Sequence, residues 1–146
     1  MPRRRTLLER IGERIARRRD DVFLTREFRD LGGEDQVLRA LRSMVRDGQL
    51  VRLGYGVYGR AETSYLTGKP MLAAEGGFID AARQALDKLG VRWELTEFQR
   101  AYNEGRLTQV PVNPAVRLPR GNRFSRKLRY KGTELRIEKA SQKPLF

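Results

Sequence analysis

The chain has 146 residues, enough for one ordinary domain or for a unit of ~60 residues with a second compact piece behind it. It contains neither cysteine nor histidine, which excludes disulfide and thiolate chemistry and removes the commonest general base and transition-metal ligand. Its 31 lysines and arginines against 18 acidic residues give a net charge of +13, a balance that points to a polyanionic partner, nucleic acid first.

The charge is uneven. Residues 1–60 are net +6, 61–105 net −2 and 106–146 net +9. No run approaches the ~18 apolar residues of a membrane span, and no apolar segment follows the basic start, so a cytoplasmic protein is expected.

In chain order, "TLLERIGERIARRR" places Leu7, Leu8, Ile11 and Ile15 on one helical face, with Thr6 and Glu9 spaced as a capping box. Val22–Leu24 reads as a short strand, and Thr25 as the cap of a short helix holding Phe28 and Leu31, stopped by Gly32-Gly33. "EDQVLRALRSMVRDG" carries one apolar stripe, Val37, Leu38, Leu41, Met44 and Val45, with Gly48 where a helix-ending glycine belongs. "LVRLGYGVYGR" reads as a hairpin turning at Gly54-Tyr55-Gly56.

Helix, strand, helix, turn, helix, hairpin is the order of a winged helix-turn-helix. The hairpin is then a wing, and the helix before it lies in a major groove. Opposite the apolar stripe stand Arg39, Arg42, Ser43 and Arg46, with Gln36 at the edge, residues that bond base edges or phosphates. Arg52, Tyr55 and Arg60 on the wing, Thr25 and Arg26 before it, and the arm Arg3, Arg4 and Arg5 complete the expected DNA-binding set.

"AETSYLTGKP" (61–70) reads as a polar linker. Beyond it, "GFIDAARQALDKLG" predicts an amphipathic helix and "VRWEL" a short strand with Trp93 in the core. A helix from Thr96 to Asn103 or Glu104, capped by Thr96 and Gln99, ends at Gly105. "TQVPVNPAVRL", "RFSRKLRY" and "TELRIEK", separated by "PRGN" and "KG", predict a small antiparallel sheet. Arg117, Arg120, Arg123, Arg126, Lys127, Arg129 and Lys131 form a second basic patch. It reads as a phosphate contact, a dock for an acidic partner, or a solvated sheet face.

The pattern Gly48, Leu50, Arg52, Gly56, Tyr58, and Thr108-Gln109-Val110-Pro111 ahead of Arg-rich strands, resemble the AbiEi-type antitoxin family of type IV toxin–antitoxin systems. The resemblance covers roughly residues 6–139. It implies a repressor that binds inverted repeats in its own promoter, two copies per operator, and opposes a nucleotidyltransferase-like toxin encoded beside it. Larger members carry a longer C-terminal region linked to neutralisation, so DNA binding is the firmer implication.

Catalysis would have to rest on Asp, Glu, Lys, Ser or Tyr. The basic C-terminal stretch offers only Glu134 and Glu138 toward a metal-dependent nuclease site, and no Walker-type loop or nucleophile elbow is present. No enzyme, cofactor or metal is expected. The expected build is α+β: a winged helix-turn-helix at 1–60, a linker at 61–70, a small C-terminal α/β domain with an antiparallel sheet at 71–139, and a tail at 140–146.

Overall fold

The computed structural model describes residues 4–110 and 113–140. Arg3 and Pro111, both named above, lie outside the described residues, as does nearly all of the tail. The first helix, α1 (Leu7–Arg17), begins at Thr6, whose hydroxyl accepts the Glu9 backbone N–H at 3.1 Å. Its buried face is Ile11 and Ile15. Strand β1 (Val22–Leu24) follows, then a 3-10 turn over Thr25–Phe28. That turn ends at Phe28, short of the expected helix through Leu31, and it is not capped by Thr25 as expected. The Glu27 carboxylate accepts the Leu24 N–H at 2.7 Å instead, because a tight turn brings a side chain three residues on back to its own start.

Helix α2 (Glu34–Arg46) buries Val37, Ala40, Leu41 and Met44. It stops at Gly48 (φ +79), where the Gln49 N–H reaches the Met44 carbonyl and the Gly48 N–H reaches Val45. A Cβ at Gly48 would also sit 2.7 Å from the Pro70 ring. Strands β2 (Leu50–Gly54) and β3 (Val57–Thr63) form the hairpin, and β3 pairs with β1 on its other edge, all antiparallel.

The stretch 61–70 is not a linker. β3 continues through Ala61–Thr63 and pairs with β4 (Pro70–Leu72) in a second hairpin, along the edge that β1 vacates. Its turn is tied by Ser64, whose hydroxyl accepts the N–H groups of Leu66 and Thr67. Polar composition therefore marked a loop tip rather than a domain joint.

Helices α3 (Gly77–Lys88) and α4 (Glu97–Asn103) lie where expected, and Thr96 and Gln99 exchange both bonds of a capping box at 3.1 and 3.2 Å. "VRWEL" makes only a single bridge, Glu94 to Arg117. The C-terminal strands correct the expected antiparallel sheet. β5 (Ala115–Leu118) pairs in parallel with β8 (Arg136–Lys139), and only β6 (Arg129–Tyr130) and β7 (Thr133–Glu134) pair antiparallel, around the expected Lys131-Gly132 turn. The long excursion through 119–135 returns the chain to the edge of β5 from the same end, which makes the pairing parallel. Ala140 is not yet tail, since its N–H donates to the Leu118 carbonyl.

Side chains alternate across the β1-β3-β2 sheet, and both faces are apolar. Phe23, Leu50 and Tyr58 face α1 and α2, beside Ile11, Phe28, Leu41 and Met44. Val22, Leu24, Leu53 and Val57 face the other way, into a second cluster with Leu72, Ala82, Leu86, Val116, Leu118 and Leu128. The sheet is thus the middle layer of a mixed α+β molecule. No helix among the described residues is long and apolar enough to cross a membrane.

Candidate nucleic-acid interface

One side of α2, the turn of the first hairpin and the Thr25–Arg29 segment enclose an open cleft of about 800 Å³. Its floor is apolar, with Leu38, Val45 and Leu89, while seven arginines and a single carboxylate, Glu34, line it. Three arginines come from α2 itself: Arg39, Arg42 and Arg46, each exposed. Arg26 and Arg29 come from the turn before it, Arg52 from β2, and Arg126 from the C-terminal segment.

The turn of the first hairpin is held in place from two sides. The Thr25 N–H donates to the Gly56 carbonyl at 3.1 Å. Gly54 lies against the backbone of the C-terminal segment, where a Cβ would sit 2.6 Å from the Lys127 carbonyl oxygen. Tyr55 between them stays 73% exposed, and the Arg126 guanidinium stacks on its ring at 6.0 Å.

Several arginines elsewhere hold carboxylates. Arg14 forks onto Asp30 at 2.6 and 2.7 Å, holding that carboxyl down at about 2. Arg5 meets Glu13, Arg18 meets Glu27, and Arg106 meets Glu97 and Glu104, which raises the Arg106 pKa further. Lys88 joins Asp20 and Glu27 between α3 and the 3-10 turn, and its hydrogen bond holds the Asp20 carboxyl below its ordinary value. In the cleft, by contrast, the side chains of Arg29, Arg39, Arg42 and Arg46 have no hydrogen bond or ion pair among the described residues. Gathering like charges without counter-ions opposes folding, so this arrangement does not serve stability.

The structure sorts the expected DNA-binding residues. Arg26, Arg39, Arg42, Arg46, Arg52, Tyr55 and Thr25 line the cleft. Arg26 also donates to the Lys88 carbonyl, and the buried Thr25 hydroxyl has no partner among the described residues. Gln36 and Ser43 do not line it. They lie on the other flank of α2, Gln36 beside Gly32 and Leu7, because one hundred degrees per residue carries them past the exposed face toward α1. Arg4 and Arg5 lie outside the cleft, Arg4 exposed and Arg5 in its ion pair with Glu13.

Arg60 is a correction. It was expected on the wing surface, yet its guanidinium donates to the carbonyls of Ile15, Arg18 and Asp20 at 2.7–3.2 Å and covers the Phe23 ring at 5.3 Å. It closes the C-terminus of α1.

The second basic patch divides. Arg126 joins the cleft. Arg117 is structural, paired with the fully buried Glu138 and with the Ala140 carbonyl, so neither it nor Glu138 is an available surface group. Arg120, Arg123, Lys127, Arg129 and Lys131 remain exposed outside the cleft. Missed by sequence reasoning were Arg29, beyond the supposed helix cap, and Arg126 as a partner of Tyr55, a contact across 71 positions that no local pattern carries. No protein-family model and no curated protein matches the chain.

Proposed function

We propose that the chain is a sequence-specific DNA-binding regulator of winged helix-turn-helix build. In this reading α2 is the recognition helix and the β2–β3 hairpin the wing. The observation that carries it is the convergence of charge: seven arginines from four separated stretches meet in one cleft whose lining holds a single carboxylate, Glu34. Arg39, Arg42 and Arg46 reach base edges or phosphates from the helix. Arg52, Tyr55 and Arg126 hold the backbone beside it, with Arg26 and Arg29 on the far wall. A single unit of this size reads a short half-site, so two copies on an inverted repeat supply specificity. The resemblance to AbiEi-type antitoxins makes the protein's own promoter the first operator to try, and DNA binding rather than catalysis the activity.

The test is fluorescence anisotropy with a duplex from the upstream region beside a scrambled duplex, at ~50 and ~200 mM salt, where phosphate-only binding weakens steeply. A preference for the native duplex that persists at the higher salt supports the reading. Equal binding that fades equally would reduce the cleft to an electrostatic footprint.

A second reading is favoured by Arg120, Arg123, Lys127 and Arg129, exposed basic residues that the cleft does not use. They suit the acidic surface of a partner protein, for which the neighbouring toxin of an antitoxin operon is the first candidate. Charge reversal at Arg123 and Arg129 would then abolish complex formation with that protein in size-exclusion chromatography and leave DNA affinity unchanged.

A further inference from the structure

A second concavity, of about 430 Å³, opens at the N-terminal half of α3, lined also by the β6–β7 turn and Gln99 of α4. Its volume suits a small molecule. Its lining holds two cations, Arg83 and Lys131, and no carboxylate. The Arg83 side chain, its buried Nε included, has no hydrogen bond or ion pair among the described residues. The Nε is shut off from solvent, so the terminal guanidinium nitrogens are the donors left for an incoming acceptor.

The rest of the wall is apolar or offers neutral donors. Phe78, Ile79 and the Tyr130 ring supply the apolar surface. Gln99 spends its carbonyl oxygen on the Thr96 N–H, which leaves its amide donors for the pocket. Lys131 is held at the turn with φ +47, its ammonium above the Tyr130 ring at 5.4 Å.

We infer that this pocket binds a small organic anion, its charged head on Arg83 and Lys131 and its apolar body against Phe78, Ile79 and Tyr130. The site is separate from the arginine cleft and shares no lining residue with it. Carboxylate and phosphate heads present the same acceptor chemistry to a guanidinium.

The chain carries its own reporter. Trp93 is its single tryptophan, and the Arg83 guanidinium lies over that ring at 5.0 Å. An anion drawn onto Arg83 alters the field at the indole. The experiment titrates the full chain with benzoate and with phenyl phosphate, following Trp93 emission and, in parallel, calorimetric heat. Benzyl alcohol and inorganic phosphate serve as controls.

A saturable response to at least one ring-bearing anion, weakened about tenfold or more by Arg83→Gln and by Lys131→Asn, is expected. Asparagine at 131 removes the cation and tolerates the positive φ. Calorimetry covers Arg83→Gln, which also removes the ring contact, and circular dichroism checks that both variants fold. Four outcomes would overturn the inference: no heat with either ring-bearing anion, equal binding of benzyl alcohol, a response to inorganic phosphate alone, or affinity unchanged in both variants.

Discussion

At the scale of single residues, the arginines separate by what they touch. Arg39, Arg42 and Arg46 bond no acceptor among the described residues, so replacing any one with alanine should leave thermal stability nearly unchanged. On DNA each replacement should cost ~1–3 kcal/mol and relax specificity where it meets a base, and should weaken all duplexes alike where it meets phosphate. Anisotropy on native and scrambled duplexes separates the two. Arg60→Ala should behave in the opposite way. It strips the α1 C-terminus of a cation bonded to three carbonyls, so a loss of about 2–3 kcal/mol in chemical denaturation is expected. The effect on DNA affinity of the folded variant should be small. Asp30 sets a pH window. Its carboxyl is depressed to about 2 by hydrogen bonds from Arg14, so the stability it contributes is present above the unfolded value of ~4 and is lost as pH falls toward 2. Asp30→Asn should flatten that part of the stability–pH curve, and added salt should blunt it in the parent chain.

At the scale of elements, the β2–β3 hairpin is not free. Its turn is buttressed by Thr25 on one side and by the 126–128 segment on the other. Gly54→Ala would push a methyl into the Lys127 carbonyl, and a destabilisation of ~1–3 kcal/mol is expected in thermal or urea melts. Arg126→Ala removes a cleft cation and its contact with the Tyr55 ring but leaves the Gly54–Lys127 backbone packing in place. It should lower DNA affinity and reduce the slope of log K against log salt by about one. The helices were legible because capping residues, apolar spacing and terminal glycines agree, as at Thr6, Gly48, Thr96 and Gly105. The C-terminal strands were less legible. Short segments such as 115–118 and 136–139 carry no sign of which edge they join or in which direction.

At the scale of the whole molecule, Val22, Phe23 and Leu24 are the informative run. Three consecutive buried apolar residues in one strand mean that both faces of the sheet are covered. A unit ending near residue 60 would leave Val22, Leu24, Leu53 and Val57 facing water, where the intact chain packs them on Leu72, Leu86, Val116 and Leu128. A fragment of residues 1–63 is therefore expected to lack a cooperative thermal transition by circular dichroism, while the full chain melts in one step.

By itself the sequence determined α1, α2, α3 and α4, the first hairpin and the excess of positive charge, because periodicity, caps and composition are properties of neighbouring residues. It also determined which face of α2 meets the core, since one hundred degrees per residue follows from the helix alone. The tertiary structure decided which arginines are available. Arg60 and Arg117 are spent on carbonyls and a buried carboxylate, whereas Arg29 and Arg126 are brought to the cleft from outside the expected helix and wing. A guanidinium's role depends on the acceptors within about 3 Å of it, and chain folding alone sets those neighbours.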